Sequence, residues 1–315
     1  MKTKKWIALL LALMLALTLS VPVMAAEEAS GEPSGPSSGE LFAAPEFPDD
    51  AKIVSATTYS VYTKNPDSMQ DAVIQATLYW DLTNDKVFDI RFVEPMLPWD
   101  DNSQDMGWAC VKDETLLKTL GEADALLEFK DGIEYAKYLQ IGDIVWTAEL
   151  GSHPAAEEAV DYVAEIDGKE TTLNDYVRTP EGAEWYVEAS KRPALFLTDD
   201  TPSPEHDPNE PPSAPPENVA SVYSITYKEN NGHGVFFWLS DITFPGNIQA
   251  IKDFVTENGF DYDYYADGGI TKNDDGFWQT PDAVSGATLD ETPTYLDILK
   301  TLYEEIQAGN YVEEN

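Results

Sequence analysis

Apolar residues recur along the chain with two different periods, and the change of period marks its elements. Ile74, Ala76, Leu78 and Trp80 alternate with Gln75, Thr77 and Tyr79, after a similarly strand-like run over 53–62. A period of two is the mark of a strand with one buried face. Thr83-Asn84-Asp85-Lys86 reads as a turn into a further strand over 87–93, with Phe88, Ile90 and Phe92 on one side, so a β-hairpin is expected here. Helical patterns follow at 114–120, ended or kinked at Gly121, at 123–129, and at 155–166, the last stopped by Asp167-Gly168. Thr179-Pro180 joins an N-cap residue to a proline and opens a fourth helix, to about Lys191. Strands followed by helices imply an α+β domain over 51–197.

Residues 198–218 carry seven prolines and no apolar run, the composition of an extended, semi-rigid linker. Beyond it the strand pattern restarts at 222–228 and 235–239 around Asn230-Asn231-Gly232-His233-Gly234. Asn247 reads as the cap of a helix carrying Ile248, Ile251, Phe254 and Val255 and ending at Asn258-Gly259. A loop rich in Asp, Gly and aromatics leads on to Thr292-Pro293, a second joined cap and N1 proline. Tyr295, Leu296, Leu299, Leu302, Tyr303 and Ile306 then form a helical stripe, and Gly309 stands where a C′ glycine belongs. The expected fold is therefore α+β: two small domains of antiparallel strands with packed helices, 51–197 and 219–315, joined by the Pro-rich linker 198–218. Tyr59-Ser60-Val61-Tyr62-Thr63-Lys64 echoes Tyr223-Ser224-Ile225-Thr226-Tyr227-Lys228. Two readings stay open for that echo: a degenerate copy of one domain, or the chance likeness of two alternating strands.

Charge and the N-terminus change the picture in two ways. Nineteen Lys and Arg against 58 Asp and Glu give a net charge of −39, a field that disfavours nucleic acid and anionic membranes and keeps an exported protein soluble. Residues 1–25 have the layout of a signal peptide: Lys2, Lys4 and Lys5, an apolar run over 6–19, and Val23-Met24-Ala25 before the expected cleavage. The same run approaches the length of a membrane anchor before Pro22, which leaves retention as an anchor open. Residues 26–50, rich in Gly, Pro, Ser and Glu, are expected to be a disordered spacer. A single cysteine, Cys110, allows no internal disulfide, and beside Trp108 and Ala109 it reads as an apolar residue.

The most informative chemistry lies just ahead of the last helix, in Asp282-Ala283-Val284-Ser285-Gly286-Ala287-Thr288. Gly286 and Ala287 present almost no side chain, so a bulky group can approach the Thr288 hydroxyl, and a helix N-terminus favours phosphate. Asp-x-x-Ser-Gly-Ala-Thr resembles the flavinylation motif of the FMN-binding domain found in Na⁺-translocating NADH:quinone reductase, in Rnf-type complexes and in secreted bacterial electron carriers. That resemblance covers residues 219–309 and is specific only over 280–300. It implies FMN joined through its phosphate to Thr288 by a separate flavin transferase, with Asp282, Ser285, Gly286 and Ala287 as the motif around the acceptor. An outside enzyme suits the residues themselves, because a threonine hydroxyl is a weak nucleophile and no histidine stands near it in the sequence. The family often continues with Thr-Ser, where this chain has Asp290 and Glu291, whose charge opposes a nearby phosphate.

With the signal peptide, the resemblance implies a secreted electron-transfer flavoprotein, or a component of an extracellular reductase, working in the cell envelope or outside it. Its expected partners are a flavin transferase, a membrane-bound electron donor and an unidentified acceptor. Trp278, with Phe277 and with Tyr264 and Tyr265 behind, offers an aromatic wall for the flavin ring. No metal site is expected: the Asp261, Asp263, Asp267 and Gly268 run lacks the glycine and glutamate positions of a calcium loop, and His153, His206 and His233 show no ligand spacing. No separate catalytic motif is found. The other class kept open is an extracellular binding or cell-surface interaction module in which Ser-Gly-Ala-Thr is a turn.

Overall fold

In a computed structural model, the described residues are 38–63, 71–98, 108–111, 123–128, 134–150, 160–203, 217–229, 244–260, 263–264, 269–272, 278–279 and 292–314. The chain enters through a short helix, α1 (Ser38–Phe42), and then forms β1 (Ile53–Thr63), β2 (Asp71–Asp81) and β3 (Lys86–Val93). Short strands follow: β4 (Cys110–Val111), β5 (Leu126–Glu128), β6 (Glu134–Ala136), β7 (Tyr138–Ile141), β8 (Ile144–Leu150), β9 (Val160–Ile166) and β10 (Lys169–Thr172). Next come α2 (Leu173–Val177), α3 (Pro180–Ser190), β11 (Ala194–Leu197) and β12 (Val219–Tyr223). The chain ends with α4 (Phe244–Asn258), β13 (Thr271–Lys272), β14 (Trp278–Gln279), α5 (Thr292–Ala308) and β15 (Val312–Glu313).

Antiparallel sheets with packed helices make the fold α+β. One sheet has the order β15-β1-β2-β3 and a larger one β10-β9-β8-β7-β11-β12, with smaller sheets β4-β6-β5 and β13-β14. The alternation along β2 decides what each face of the first sheet buries. Ile74, Ala76, Leu78 and Trp80 join Val54, Ala56, Ile90 and Phe92 in a core completed by Ile251, Phe254 and Val255 of α4 and by Tyr295, Leu296, Leu299, Leu302 and Ile306 of α5. Val73, of opposite parity, joins a second core with Leu139, Trp146 and Phe196 of the larger sheet and with Tyr186 and Val187 of α3. Strands before segment 198–218 and helices after it therefore share one hydrophobic core. The segment itself links neighbouring strands, since β11 and β12 pair antiparallel and the Thr198 N–H donates to the Asn218 carbonyl at 2.9 Å.

Local chemistry accounts for the helix ends. Thr179 caps α3, its hydroxyl accepting from the Gly182 N–H at 3.0 Å, and Pro180 fills the first helical position, as expected. Gly309 has φ +86° and closes α5 in a Schellman arrangement, with Asn310 N–H donating to the Glu305 carbonyl at 2.9 Å and Gly309 N–H to Ile306 at 3.0 Å. Helix α4 differs from expectation: it opens at Phe244, with Pro245 in its first turn, so Asn247 is inside the helix and wholly buried rather than its cap.

Three further expectations are corrected. Residues 160–166, read as the end of a helix, form a strand, because Val160, Tyr162 and Ala164 bury one side with period two. Asp167 and Gly168, at φ +53° and +77°, are a tight hairpin turn into β10 rather than a helix stop. The helix read at 123–129 is a 3₁₀ turn, Ala123–Ala125, running into β5, and the helix read at 114–120 lies outside the described residues. Part of the expected spacer also rests on the body. Phe42 meets Tyr227 edge-on at 5.8 Å beneath the Lys191 ammonium, and Phe47 lies 5.7 Å from Tyr79. Two phenylalanines give this stretch enough apolar surface to dock where its Gly, Pro and Ser do not.

Candidate functional site at the start of the last helix

Helix α5 begins at Thr292, four residues after Thr288, the acceptor expected from the sequence, so no more than about 14 Å of extended chain separates that position from the helix. Its first turn is anchored from below. The Tyr295 hydroxyl donates to Glu94 Oε1 at 2.7 Å, and its ring meets Phe92 edge-on at 5.1 Å. Glu94 follows the last residue of β3 and is completely buried. Lys228 Nζ lies 3.2 Å from Glu94 Oε2 and 5.5 Å from the centre of the Phe244 ring, at the first residue of α4. The start of both C-terminal helices and the end of β3 thus meet around one carboxylate.

Backbone hydrogen bonds explain why these residues converge. Residues 94–96 leave β3 and run between β2 and the segment 226–228: Val73 N–H donates to Pro95, Met96 N–H to Thr226, and Lys228 N–H to Glu94, at 3.2, 2.9 and 3.1 Å. The expected strand 222–228 is accordingly split, pairing with β11 up to Tyr223 and then forming a bridge between Tyr227 and Pro95. The crossing brings in a second acid. The Glu94 N–H donates to Glu229 Oε2 at 3.2 Å, and Glu229 is only 9% exposed. Among the described residues its other oxygen, Oε1, has no hydrogen-bond partner. Burial, followed by the charge of Glu94, holds the Glu229 carboxyl well above the usual carboxylate range. Tyr227 beside it makes a 2.8 Å hydrogen bond with the Ser190 hydroxyl, and burial pushes its phenol up to about 12.

Of the site residues read from the sequence, Asp282, Ser285, Gly286, Ala287 and Thr288 lie outside the described residues, as do Phe277, Tyr265, Asp261, Asp267, Gly268 and the three histidines. Trp278 is placed by its backbone in β14, paired with Lys272 of β13, and α5 packs against β14. Tyr264 belongs to the core, 2% exposed, 5.7 Å from Phe254, its hydroxyl donating to the Gly259 carbonyl at 2.9 Å. No cluster of three or more potential metal ligands occurs among the described residues. Nor is any helix among them long and apolar enough to cross a membrane.

Sequence reasoning missed Glu94, Lys228 and Glu229. Val93-Glu94-Pro95 reads as the end of a strand, and no local pattern links Glu94 to a residue 135 positions away. The one available signal was Tyr295, a hydroxyl-bearing residue in a buried stripe whose other members, Leu296, Leu299, Leu302 and Ile306, are aliphatic. Compared with protein-family models, with curated proteins and with solved structures, the chain matches none of them.

Proposed function

We propose that the protein is a secreted flavoprotein that carries FMN covalently on Thr288 and passes electrons in the cell envelope or the extracellular space. The observation that carries this reading is the run Asp282 to Thr288, ending four residues before a long helix begins. Helix starts offer unpaired N–H groups and a positive partial charge, a setting that favours a phosphate. Two further features agree with it. The buried Glu94 is engaged by Lys228 and Tyr295, so its charge is partly neutralised at the base of that helix. The signal-like residues 1–25 point to export, where a covalent tether keeps a cofactor from being diluted away.

FMN supplies the electron chemistry when bound. The residues of the chain hold and orient it: Thr288 as the ester oxygen, Ser285, Gly286 and Ala287 as the small-residue approach, Asp282 as part of the sequence a flavin transferase reads, and Trp278 as a wall for the ring. In this proposal the half over 219–315 bears the flavin, the Pro-rich segment 198–218 divides it in sequence from 51–197, and the first half supplies structural support. The electron donor is a membrane-bound partner. The chain acts as a carrier, or as the flavin-bearing component of an extracellular reductase.

Intact mass and in-gel flavin fluorescence test the reading, on protein co-expressed with a flavin transferase and on Thr288→Ala beside it. One FMN phosphoester on the wild type and none on the variant is the expected result. Folded wild-type protein without an adduct, in the presence of active transferase, would overturn it and favour a binding or cell-surface interaction module.

A further inference from the structure

Two carboxylates and one ammonium group meet behind the first turn of α5. We propose that Glu229, packed against the backbone of the ion-paired Glu94, is a proton-binding site that holds one proton at neutral pH, Glu94 charged and Glu229 neutral. Three observations converge on it. Glu94 is the better-served anion: the Tyr295 hydroxyl donates to Oε1 at 2.7 Å, and Oε2 has an ion pair with the Lys228 ammonium at 3.2 Å, without a hydrogen bond between them. Glu229 receives the Glu94 N–H at 3.2 Å on Oε2, while its buried Oε1 has no hydrogen-bond partner among the described residues. Leaving a buried charged oxygen unmatched is costly, and protonating the group removes the charge.

The surroundings assign the proton to one acid rather than the other. The segment 227–229 contributes Tyr227, Lys228 and Glu229, the end of β3 contributes Glu94, and α5 contributes Tyr295. Helix α4 brings the Phe244 ring against Lys228, and Glu188 of α3 acts through its charge on Tyr227. With Glu94 and Lys228 both charged, their sum is zero, and a second ionised carboxylate would leave an excess negative charge inside the protein. The burial and neighbouring charge that raise Glu229 act in the same direction. With one proton bound the cluster is neutral, and without it the cluster turns negative beneath the helix start.

The site does not depend on a flavin, so its test is independent of Thr288. Difference infrared spectra of the full chain, titrated from about pH 4 to about pH 9, read the carbonyl stretch of protonated carboxyl groups. The wild type is expected to keep one such signal at neutral pH, after the exposed carboxyls have ionised. Glu229→Gln, which mimics the neutral acid in shape, should lose it. Glu94→Gln should keep it with its titration moved to lower pH, because the neighbouring negative charge is gone. A wild type with no protonated-carboxyl signal at neutral pH would overturn the proposal whether or not either variant folds. A signal unchanged in folded Glu229→Gln would also overturn it.

Discussion

Cutting the chain at residue 218 should leave neither piece able to fold alone. Helices α4 and α5 cover the face of the first sheet formed by Val54, Ile74, Leu78, Trp80, Ile90 and Phe92, all buried in the intact chain. Burying one large apolar side chain contributes about 1.5–3 kcal/mol, so uncovering these six forfeits about 9–18 kcal/mol. Allowing for the partial compactness of a denatured chain reduces that to about 6–12 kcal/mol. The remainder is comparable with the whole stability of a typical domain, about 5–15 kcal/mol. Loss of β15 also removes the pairing of Val54 with Glu313 and Ser55 with Val312. Residues 38–218 and 219–315, made separately, should lack near-ultraviolet circular dichroism and cooperative thermal unfolding, and should recover both when mixed. A cooperative transition from 38–218 alone would refute this reasoning and show that the first half is an independent domain.

Other expected outcomes are quickly checked. Gly182→Ala would drive a Cβ into the Tyr176 carbonyl oxygen, so the start of α3 must shift; urea unfolding should show a loss of about 1–3 kcal/mol or more. The folded-state pKa of Glu229 stands above its unfolded value of 4.5, so the native chain binds the extra proton between the two. Its contribution to stability is therefore complete below the unfolded value and is lost as pH rises through the folded one. Relative to Glu229→Gln, the wild type should lose up to about 1.4 kcal/mol per pH unit across that window, read as the difference between two pH series of urea midpoints. Parallel pH series would contradict it. Flavin attachment at Thr288 and its loss in Thr288→Ala remain the test of function.

What could be read from the sequence, and what could not, follows from how far each interaction reaches. The faces of β2 were legible because alternation is a local consequence of the strand, and Ile74, Ala76, Leu78 and Trp80 all join the α4–α5 core. The stripe of α5 was legible for the same reason, with Tyr295, Leu296, Leu299, Leu302 and Ile306 all buried. Strand β9 was misread because its helical and strand patterns overlap over seven residues, and Asp167-Gly168 suits either a helix stop or a hairpin turn. Beyond the β2–β3 hairpin, which its turn announces, the pairings were not legible. Nothing near Ala194–Leu197 announces β12 beyond the prolines, and nothing near Ile53 announces β15. The acid pair belongs to that non-local class, since Glu94 and Glu229 meet only after the chain crosses itself at 95 and 227.

The antiparallel pairing of β1 with β15 also bears on when the protein can fold. The first long strand waits for residues about 260 positions further on: Val54 faces Glu313, and the Glu314 N–H donates to the Ile53 carbonyl at 3.0 Å. Between them, α5 must arrive before β1 and β2 can cover their apolar face. Contacts this distant along the chain close slowly, because loop entropy must be overcome before they form. A chain emerging from its N-terminus therefore keeps its first hairpin uncommitted until α4, α5 and β15 have followed it.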